Sequence, residues 1–239
     1  MTGPERSNRI DAGDVVLAAP VLATLTPLRR AVLPDLAGIG RPGHIALTFD
    51  DGPDRRSTPH FLKVLAEHDV RATFFLLGSM LRLDPALGRE LVDAGHEVAV
   101  HGWHHRMLLR RRAAATYDDI ARARDLVATA SGALPRWYRP PYGVLTTAGL
   151  RACGRLGLTP VLWTAWGRDW EARATPDTIL RTVTRPLVGG GTVLLHDSDC
   201  TSAAGSWRRT LGALPGLIEW AAARRLTLGP LREHAVVGQ

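Results

Sequence analysis

Two neighbouring carboxylates, Asp50 and Asp51, come directly after an alternation of apolar residues at 45–49 that predicts a β-strand. Adjacent side chains on an extended chain point in opposite directions, so we expect the two acids to do different work. One carboxylate can bind a metal while the other accepts a proton. The alternative is an ordinary turn, because Asp, Gly and Pro at 50–53 all favour turns.

A second group of candidate ligands is the sequence His-Gly-Trp-His-His at 101–105. His101 and His105 are four residues apart, and on a helical turn this spacing places both imidazoles on one face. His104 is a competing second ligand, and a solvated loop is the commoner explanation of a histidine pair taken alone. Together with Asp51, two histidines make a set that leaves metal positions open for water and substrate, which indicates catalysis.

The sequence Arg-Pro-Pro-Tyr at 139–142 predicts a rigid turn directly after a short strand. Arg139 could keep Asp50 ionised and oriented. The backbone N–H of Tyr142 could face an oxyanion that develops during a reaction. A surface turn with an exposed arginine is the alternative.

His196 ends a predicted strand, where a histidine could act as a general acid. Asp169, in an earlier loop, offers a carboxylate to orient that histidine, although a buried histidine with satisfied hydrogen bonds is the alternative. Three tryptophans near these residues could stack on sugar rings, while core packing is the commoner role of tryptophan. They are Trp103, Trp166 and Trp170.

The elements that must position these residues alternate between strands and helices. The pattern predicts strands at about 44–50, 72–77, 97–100, 137–139, 160–164, 192–196 and 226–228. It predicts helices at about 58–67, 84–95, 116–130, 147–156, 175–187 and 207–225. Such alternation indicates a parallel α/β sheet or barrel, whose site lies at the carboxyl ends of the strands. Each polar cluster follows a predicted strand, so we expect one shared site.

The composition is that of an ordinary globular domain, with 45% hydrophobic and 22% charged residues in 239. The net charge is +7, and Lys63 is the single lysine, so 29 of the 30 basic residues are arginine. The arginine runs are short and scattered, which favours a solvated surface over a nucleic-acid site. Cys153 and Cys200 lie far apart, so a disulfide and two free thiols both fit.

Residues 1–43 are expected to form an N-terminal extension with one short helix, ahead of a catalytic domain at 44–239. The apolar segment 15–25 is interrupted by Pro20 and is too short to span a bilayer. Its upstream flank mixes acids and bases and is not a positive n-region. We therefore expect a cytoplasmic protein that keeps its N-terminus, with export or a membrane-surface anchor as the alternatives and the oligomeric state open.

Taken together, five motifs resemble those of the polysaccharide deacetylases, the carbohydrate esterase family with a NodB-like domain. They occur in the family's order, and the strand–helix pattern extends the likeness to about residue 230. The motifs are Thr-Phe-Asp-Asp-Gly at 48–52, His-x-x-x-His at 101–105, Arg-Pro-Pro-Tyr at 139–142, Asp-Trp at 169–170 and Leu-Leu-His at 194–196.

The resemblance implies a distorted (β/α) barrel of about seven parallel strands and metal-dependent removal of N- or O-acetyl groups from an acetylated carbohydrate. It implies Asp50 as the base and His196 as the acid, supported by Arg139 and Asp169 respectively. The implied metal ligands are Asp51, His101 and His105. Tyr142, Trp170 and Leu194 are the implied substrate and oxyanion residues, with Leu194 lining the acetyl pocket.

Two positions depart from the family pattern. Gly102 stands where the family usually has Ser or Thr, and we expect it to loosen the hydrogen bonding of the loop. Trp166 stands where the family often has aspartate, three residues before the Asp-Trp pair, which leaves the identity of the substrate open.

The metal expected from this donor set is Zn²⁺, although Co²⁺, Mn²⁺ or Fe²⁺ would also fit. Three rival functions share part of the site. A deacylase of a small non-polymeric amide would use every catalytic residue. An iron oxygenase would use two histidines and a carboxylate but would not need the second acid or His196. A catalytically silent carbohydrate-binding protein is suggested by Gly102 and Trp166.

Overall fold

The computed structural model describes residues 16–18 and 33–234. Within them the strands are β1 (Val16–Ala18), β2 (His44–Asp50), β3 (Thr73–Leu76), β4 (Glu97–Val100), β5 (Trp137–Tyr138), β6 (Leu145–Thr146), β7 (Thr159–Pro160), β8 (Ala165–Trp166), β9 (Thr192–His196) and β10 (Thr227–Gly229). The helices are α1 (Pro34–Ala37), α2 (Thr58–Glu67), α3 (Gly78–Leu81), α4 (Ala86–Asp93), α5 (Ala113–Ser131), α6 (Thr147–Leu156), α7 (Pro176–Thr184) and α8 (Ser206–Ala222). Short 3₁₀ turns lie at Leu108–Arg110, Pro141–Gly143 and Leu231–Glu233.

The main sheet is parallel throughout, with the strand order β7-β5-β4-β3-β2-β9-β8 and with β10 paired to the start of β2. Within the described part of the chain the sheet thus has eight strands, and the seven in that order curl into a half-barrel, which confirms the predicted distorted α/β barrel. A separate antiparallel pair joins β1 to β6.

The centre of the sheet is held by aromatic packing under β2. Phe49 stacks on Phe74 of β3 at 5.0 Å between ring centroids, and it meets Phe61 of α2 edge-on at 5.2 Å. All three rings are fully buried. Burying each such side chain contributes about 1.5–3 kcal/mol, so β2 is a rigid support for the carboxylates that end it.

The register of the parallel strands brings the polar clusters to one edge. Asp50 at the end of β2 is the register partner of His196 at the end of β9. Val100 of β4 pairs with Tyr138 of β5, so His101 and Arg139 follow at neighbouring strand ends. The expectation of one shared edge therefore holds.

The predicted strand at 160–164 is wrong as a single element. The structure has two short strands, β7 and β8, on either side of 161–164. The reason is that the backbone between them has other partners. Arg139 donates to the carbonyls of Val161 and Leu162, at 3.4 and 2.8 Å, and the N–H of Leu162 donates to Leu36 of α1 at 2.7 Å.

Other differences are smaller. Helix α5 begins at Ala113, three residues before the predicted start, and α3 was not predicted. Residues 1–15, 19–32 and 235–239 of the chain lie outside the described part, including most of the predicted N-terminal extension. Cys153 and Cys200 are both free thiols. None of the described helices is long and apolar enough to cross a membrane.

Candidate active site

Three predicted ligands converge at the carboxyl edge of the sheet. Oδ1 of Asp51 lies 3.5 Å from Nε2 of His101 and 3.7 Å from Nε2 of His105. His104, the competing candidate, has an exposed side chain and is not part of this group. The two ligand histidines do not lie on a helical turn, because His101 directly follows β4 and His105 lies further along the same loop. That loop, rather than helical periodicity, brings the rings together.

The two aspartates reach the same histidine, which contradicts the expectation that they point in opposite directions. Nε2 of His101 is 3.7 Å from Oδ2 of Asp50 as well as 3.5 Å from Asp51. The cause is the backbone of Asp51, whose φ of +75° is left-handed, so the chain is not extended across the pair. A non-glycine residue held in this region is a strained feature of the kind that clusters at functional sites.

The three groups fit a divalent metal. Oδ1 of Asp51 is buried and has no hydrogen-bond partner among the described residues. Nδ1 of His101 lies 2.8 Å from the carbonyl of Arg139, so the proton sits on Nδ1 and the lone pair of Nε2 faces Asp51. Tetrahedral ligands with bonds of about 2.1 Å are about 3.4 Å apart, close to the two distances observed.

Burial also prepares the histidines as ligands. It lowers the pKa of His101 to about 3, with a further contribution from His105, and it lowers the pKa of His105 as well. Both imidazoles are therefore neutral at neutral pH, which is the form that binds a metal.

Asp50 is held by a buried arginine. Nη1 of Arg139 donates to Oδ1 of Asp50 at 2.8 Å and to the hydroxyl of Thr48 at 2.7 Å, and both charged side chains are buried. Burial raises the pKa of Asp50, and the positive charge of Arg139 opposes that rise. The result is an oriented carboxylate that is a stronger base than one in water.

His196 is held by Asp169 on the other side of the site. Its Nδ1 lies 2.9 Å from Oδ1 of Asp169, and its backbone N–H donates to Oδ2 at 2.8 Å. Thr210 of α8 also donates to Oδ2 at 2.8 Å. Burial alone lowers the pKa of His196, but the charge and hydrogen bond of Asp169, with Asp51 and Asp50, raise it to about 10. Nε2 is thereby aimed at the metal ligands as a proton donor.

A cavity of about 310 Å³ opens over these groups. Its apolar wall runs from Trp163 through Trp166 to Trp170, with ring centroids 5.8 and 5.2 Å apart, and Trp170 meets the ring of His196 at 5.6 Å. The remaining lining residues are Asp50, His101, His105, Met107, Pro140, Tyr142, Leu194, Thr201 and Ser202.

Tyr142 lies on the rim of this cavity. Its side chain is half exposed, its ring centroid is 4.4 Å from that of His105, and its φ is +61°. The left-handed backbone turns the Arg-Pro-Pro-Tyr segment over the site.

Trp103, which we expected could stack on a sugar, is a core residue. It is buried against Gly78, with the guanidinium of Arg122 3.5 Å from its ring centroid. Trp166 and Trp170 do line the cavity, as that interpretation required.

Gly102 does not loosen its loop. Its φ is +89°, and a Cβ there would lie 2.9 Å from Oδ2 of Asp119. That same oxygen accepts the N–H of Trp103 at 2.8 Å, and the carbonyl of Gly102 accepts the N–H of Gly78 at 3.0 Å. A carboxylate from α5 thus fixes the loop that carries both ligand histidines.

Several residues of the site were not predicted from the sequence, although one of them lies inside a recognised motif. Thr48 lies inside the recognised Thr-Phe-Asp-Asp-Gly motif, and its side-chain contact with Arg139 follows from the alternation of β2. Thr201, Ser202 and Thr210 lie beyond the last motif, and Met107 lies in the loop after the histidines. Only the folded structure brings these four to the site.

Comparison with known proteins agrees with this geometry. The family model for polysaccharide deacetylase matches residues 38–161. A chitooligosaccharide deacetylase of Bradyrhizobium sp. (strain ANU 289) is 39% identical over 195 residues, which cover 78% of this chain and 88% of the relative. The chain belongs to the polysaccharide deacetylase family.

Two further relatives support the assignment to the polysaccharide deacetylases. A peptidoglycan-N-acetylglucosamine deacetylase of Listeria monocytogenes is 35% identical over 160 residues, which cover 67% of this chain but 34% of that longer relative. The structure of a family 4 carbohydrate esterase from Streptomyces lividans in complex with acetate has a TM-score of 0.72 and 32% identity, covering 82% of this chain and 97% of that one.

Membership confirms three predictions made from the motifs. The family is the one the motifs resembled, the fold is that of its structural relatives, and the protein is a hydrolase of the carbohydrate deacetylase class. Polysaccharide deacetylases of this kind depend on a metal, which agrees with the ligand group at Asp51.

Proposed function

We propose that this polysaccharide deacetylase hydrolyses the N-acetyl group of an acetylated amino sugar, with Zn²⁺ held by Asp51, His101 and His105. The observation that carries the proposal is the buried Oδ1 of Asp51, which lies between two imidazole nitrogens and has no hydrogen-bond partner in the described part of the chain. The printed activities of the Bradyrhizobium and Listeria relatives support an N-acetylated sugar as the substrate.

Two imidazoles and one carboxylate are a donor set typical of catalytic zinc, and the same set also binds cobalt, manganese or iron. When bound, the metal supplies Lewis acidity, which makes a water molecule a stronger nucleophile at neutral pH and favours negative charge on the acetyl oxygen.

Asp50 is the general base of the proposed reaction. It takes a proton from the attacking water as the new bond forms between the water oxygen and the acetyl carbonyl carbon. Its raised pKa suits this task, and Arg139 fixes the position of the accepting carboxylate. The backbone N–H of Tyr142 is proposed to donate to the carbonyl oxygen as negative charge develops there.

His196 is the general acid. The C–N bond breaks as the imidazolium of His196 gives its proton to the sugar nitrogen, so that acetate and a free amine leave. The pKa of about 10 keeps this group charged at neutral pH. Leu194, which is buried and lines the cavity with Trp170, is proposed to contact the acetyl methyl group.

The test is acetate release from three substrate classes after removal of metal and after its return. The substrates are chitin oligomers, peptidoglycan fragments and small acetylated amino sugars. We expect zinc-dependent release of acetate from at least one sugar class, with a new amine of equal amount.

Two results would redirect the proposal. Release only from small non-sugar amides would favour a small-amide deacylase. Sugar binding without acetate release, with one metal ion bound per chain, would favour a silent binding protein.

A further inference from the structure

The carboxylate of Asp51 has a second partner on the side away from the histidines. The hydroxyl of Thr201 donates a hydrogen bond to Oδ2 of Asp51. Thr201 lies in residues 197–205, the loop between β9 and α8. The last recognised motif, at 194–196, ends just before this loop. We call this segment the 197–205 loop.

The two oxygens of Asp51 are therefore divided between two tasks. Oδ1 faces His101 and His105 and has no hydrogen-bond partner among the described residues, whereas Oδ2 is taken by Thr201. The carboxylate is fully buried, so it cannot rely on water to satisfy a free oxygen.

Oδ2 also has a competitor for its lone pairs. Nε2 of His196 is 4.0 Å from that oxygen, too far for a hydrogen bond but within reach after a small rotation of the carboxylate. Such a rotation would turn Oδ1 away from the imidazoles. The Thr201 hydroxyl opposes it by holding Oδ2 in place.

Other hydrogen bonds fix the 197–205 loop, so the position of Thr201 does not depend on its bond to Asp51 alone. Oδ2 of Asp199 accepts the N–H of Gly205 at 2.6 Å, and the hydroxyl of Ser198 accepts the N–H of Cys200 at 3.2 Å. The N–H of Ala203 donates to the carbonyl of Trp170 at 3.1 Å.

The loop is also tied to the strand end that carries the aspartates. The thiol of Cys200 lies 3.4 Å from the backbone carbonyl of Asp51, and Oδ1 of Asp199 lies 3.4 Å from the guanidinium of Arg56. At the start of the loop, Asp197 accepts a hydrogen bond of 2.5 Å from Thr58. The position of Thr201 is thus set by both ends of the loop and by the segment that it contacts.

We propose that Thr201 is a positioning residue for the metal site, which holds Asp51 so that Oδ1 is presented to the ion. This inference rests on the proposed function, because it takes Asp51, His101 and His105 as the ligands. Partners that orient a ligand from behind typically contribute about 10- to 100-fold to metal affinity or activity.

The experiment measures the dissociation constant of Zn²⁺ for the purified metal-free protein, by competition with a chromophoric chelator. Thr201→Val removes the hydroxyl and keeps the shape, whereas Thr201→Ser keeps the hydroxyl. Thr129→Val is the matched control, because its exposed hydroxyl on α5 donates to the carbonyl of Asp125 in the same helix.

We expect Thr201→Val to weaken zinc binding by about 10- to 100-fold. Thr201→Ser should stay within about threefold of wild type, and Thr129→Val should not differ from it. At saturating zinc, Thr201→Val should still bind one ion per chain, because no ligand has been removed.

Equal affinities of wild type and Thr201→Val would overturn the inference, as would equal losses in the valine and serine variants. If Thr201→Val fails to fold, by circular dichroism of the metal-free protein, the comparison of Thr201→Ala with Thr201→Ser decides in the same way. Asp51→Asn separates this inference from the proposed function. If that variant binds zinc as wild type does, the proposed ligand set is wrong, whatever Thr201 does.

Discussion

Asp169 holds His196 by its backbone and its ring at once. One carboxylate oxygen accepts the N–H of His196 at 2.8 Å, and the other lies 2.9 Å from Nδ1. The strand end and the imidazole therefore move as one unit, and the negative charge that orients the ring also favours its protonated form.

A first prediction concerns the pH dependence of turnover. His196 must be protonated to act as an acid, so kcat should fall as pH rises through its pKa, which the acidic neighbours raise to about 10. Asp169→Asn removes the nearest charge and lowers that pKa. The alkaline limb of the kcat profile should move to lower pH by about 1–3 units, the usual effect of one close charge. If the alkaline limb does not move, it reports the titration of a group other than His196.

A second prediction concerns the leaving group. His196→Ala should keep its metal and lose about 10²–10⁴-fold in turnover on an acetamido sugar, because an amine leaves poorly unless it is protonated. An activated aryl acetate should lose much less, since its leaving group needs no proton. Parallel assays of the two substrates check this, and equal losses on both would argue against His196 as the acid.

A third prediction separates the neighbouring aspartates. Asp51→Asn should weaken metal binding, because it removes the only anionic ligand proposed for the ion, and excess metal should partly restore activity. Asp50→Asn should keep its metal but lose about 10²–10⁴-fold in rate, without rescue by added metal. Metal analysis and acetate release on the two variants decide between these roles. If Asp50→Asn loses its metal while Asp51→Asn keeps its metal but is inactive, the roles of base and metal ligand are reversed.

A fourth prediction concerns the glycine at the family's usual Ser or Thr position. Gly102→Ala should lower the free energy of unfolding by about 1–3 kcal/mol, because alanine is strained at a φ of +89° and its Cβ would press on Asp119. Gly154→Ala is the matched control. Gly154 lies inside α6 with open space around its Cβ, so alanine should stabilise the protein by up to about 1 kcal/mol. Urea titrations of the metal-free proteins measure both, and a loss of the same size in each would contradict the explanation.

A fifth prediction concerns stability in acid. His44 and His234 are buried with their Nδ1 atoms 2.8 Å apart, and burial lowers the pKa of His44 to about 4 and also lowers that of His234. At these two residues the unfolded chain therefore binds more protons than the folded one below about pH 6.5. Their contribution to the free energy of unfolding should fall between pH 6.5 and 4, by up to about 1.4 kcal/mol per pH unit for each histidine.

Unfolding in the presence of a chelator measures this acid loss without contributions from bound metal. His234→Gln removes one titrating group and should flatten the dependence. His104→Gln, at an exposed position, is the control and should leave the slope as in wild type. A slope unchanged in His234→Gln would assign the acid sensitivity to other histidines.

Sequence reasoning went furthest where the chemistry lies inside local motifs. The alternation before Asp50 and the strand–helix order sufficed for the parallel sheet, because strand ends in such a sheet meet at one edge. Sequence reasoning failed where local backbone geometry, or contacts between residues distant in the chain, determine the structure. The left-handed turn at Asp51 cannot be read from Asp-Asp-Gly-Pro, and the strand at 160–164 is divided because Arg139, from a separate segment, takes its carbonyls.

The part played by Thr201 lay beyond sequence reasoning for the same reason. It is 150 residues from Asp51 along the chain, and it follows the last recognised motif without a pattern of its own. The cytoplasmic location and the boundary at residue 43 stay predictions.

The contacts of His234 join the end of the described chain to the segment that leads into β2. The backbone of Arg41 donates to the carbonyl of His234 at 2.9 Å, and the ring of His234 lies 3.2 Å from the carbonyl of Gly38. The segment 38–41, which follows α1 and leads into β2, and His234, the last described residue, thus lie side by side. A second domain joined to the chain after His234 would therefore lie near the start of β2, away from the edge of the sheet where the metal ligands lie.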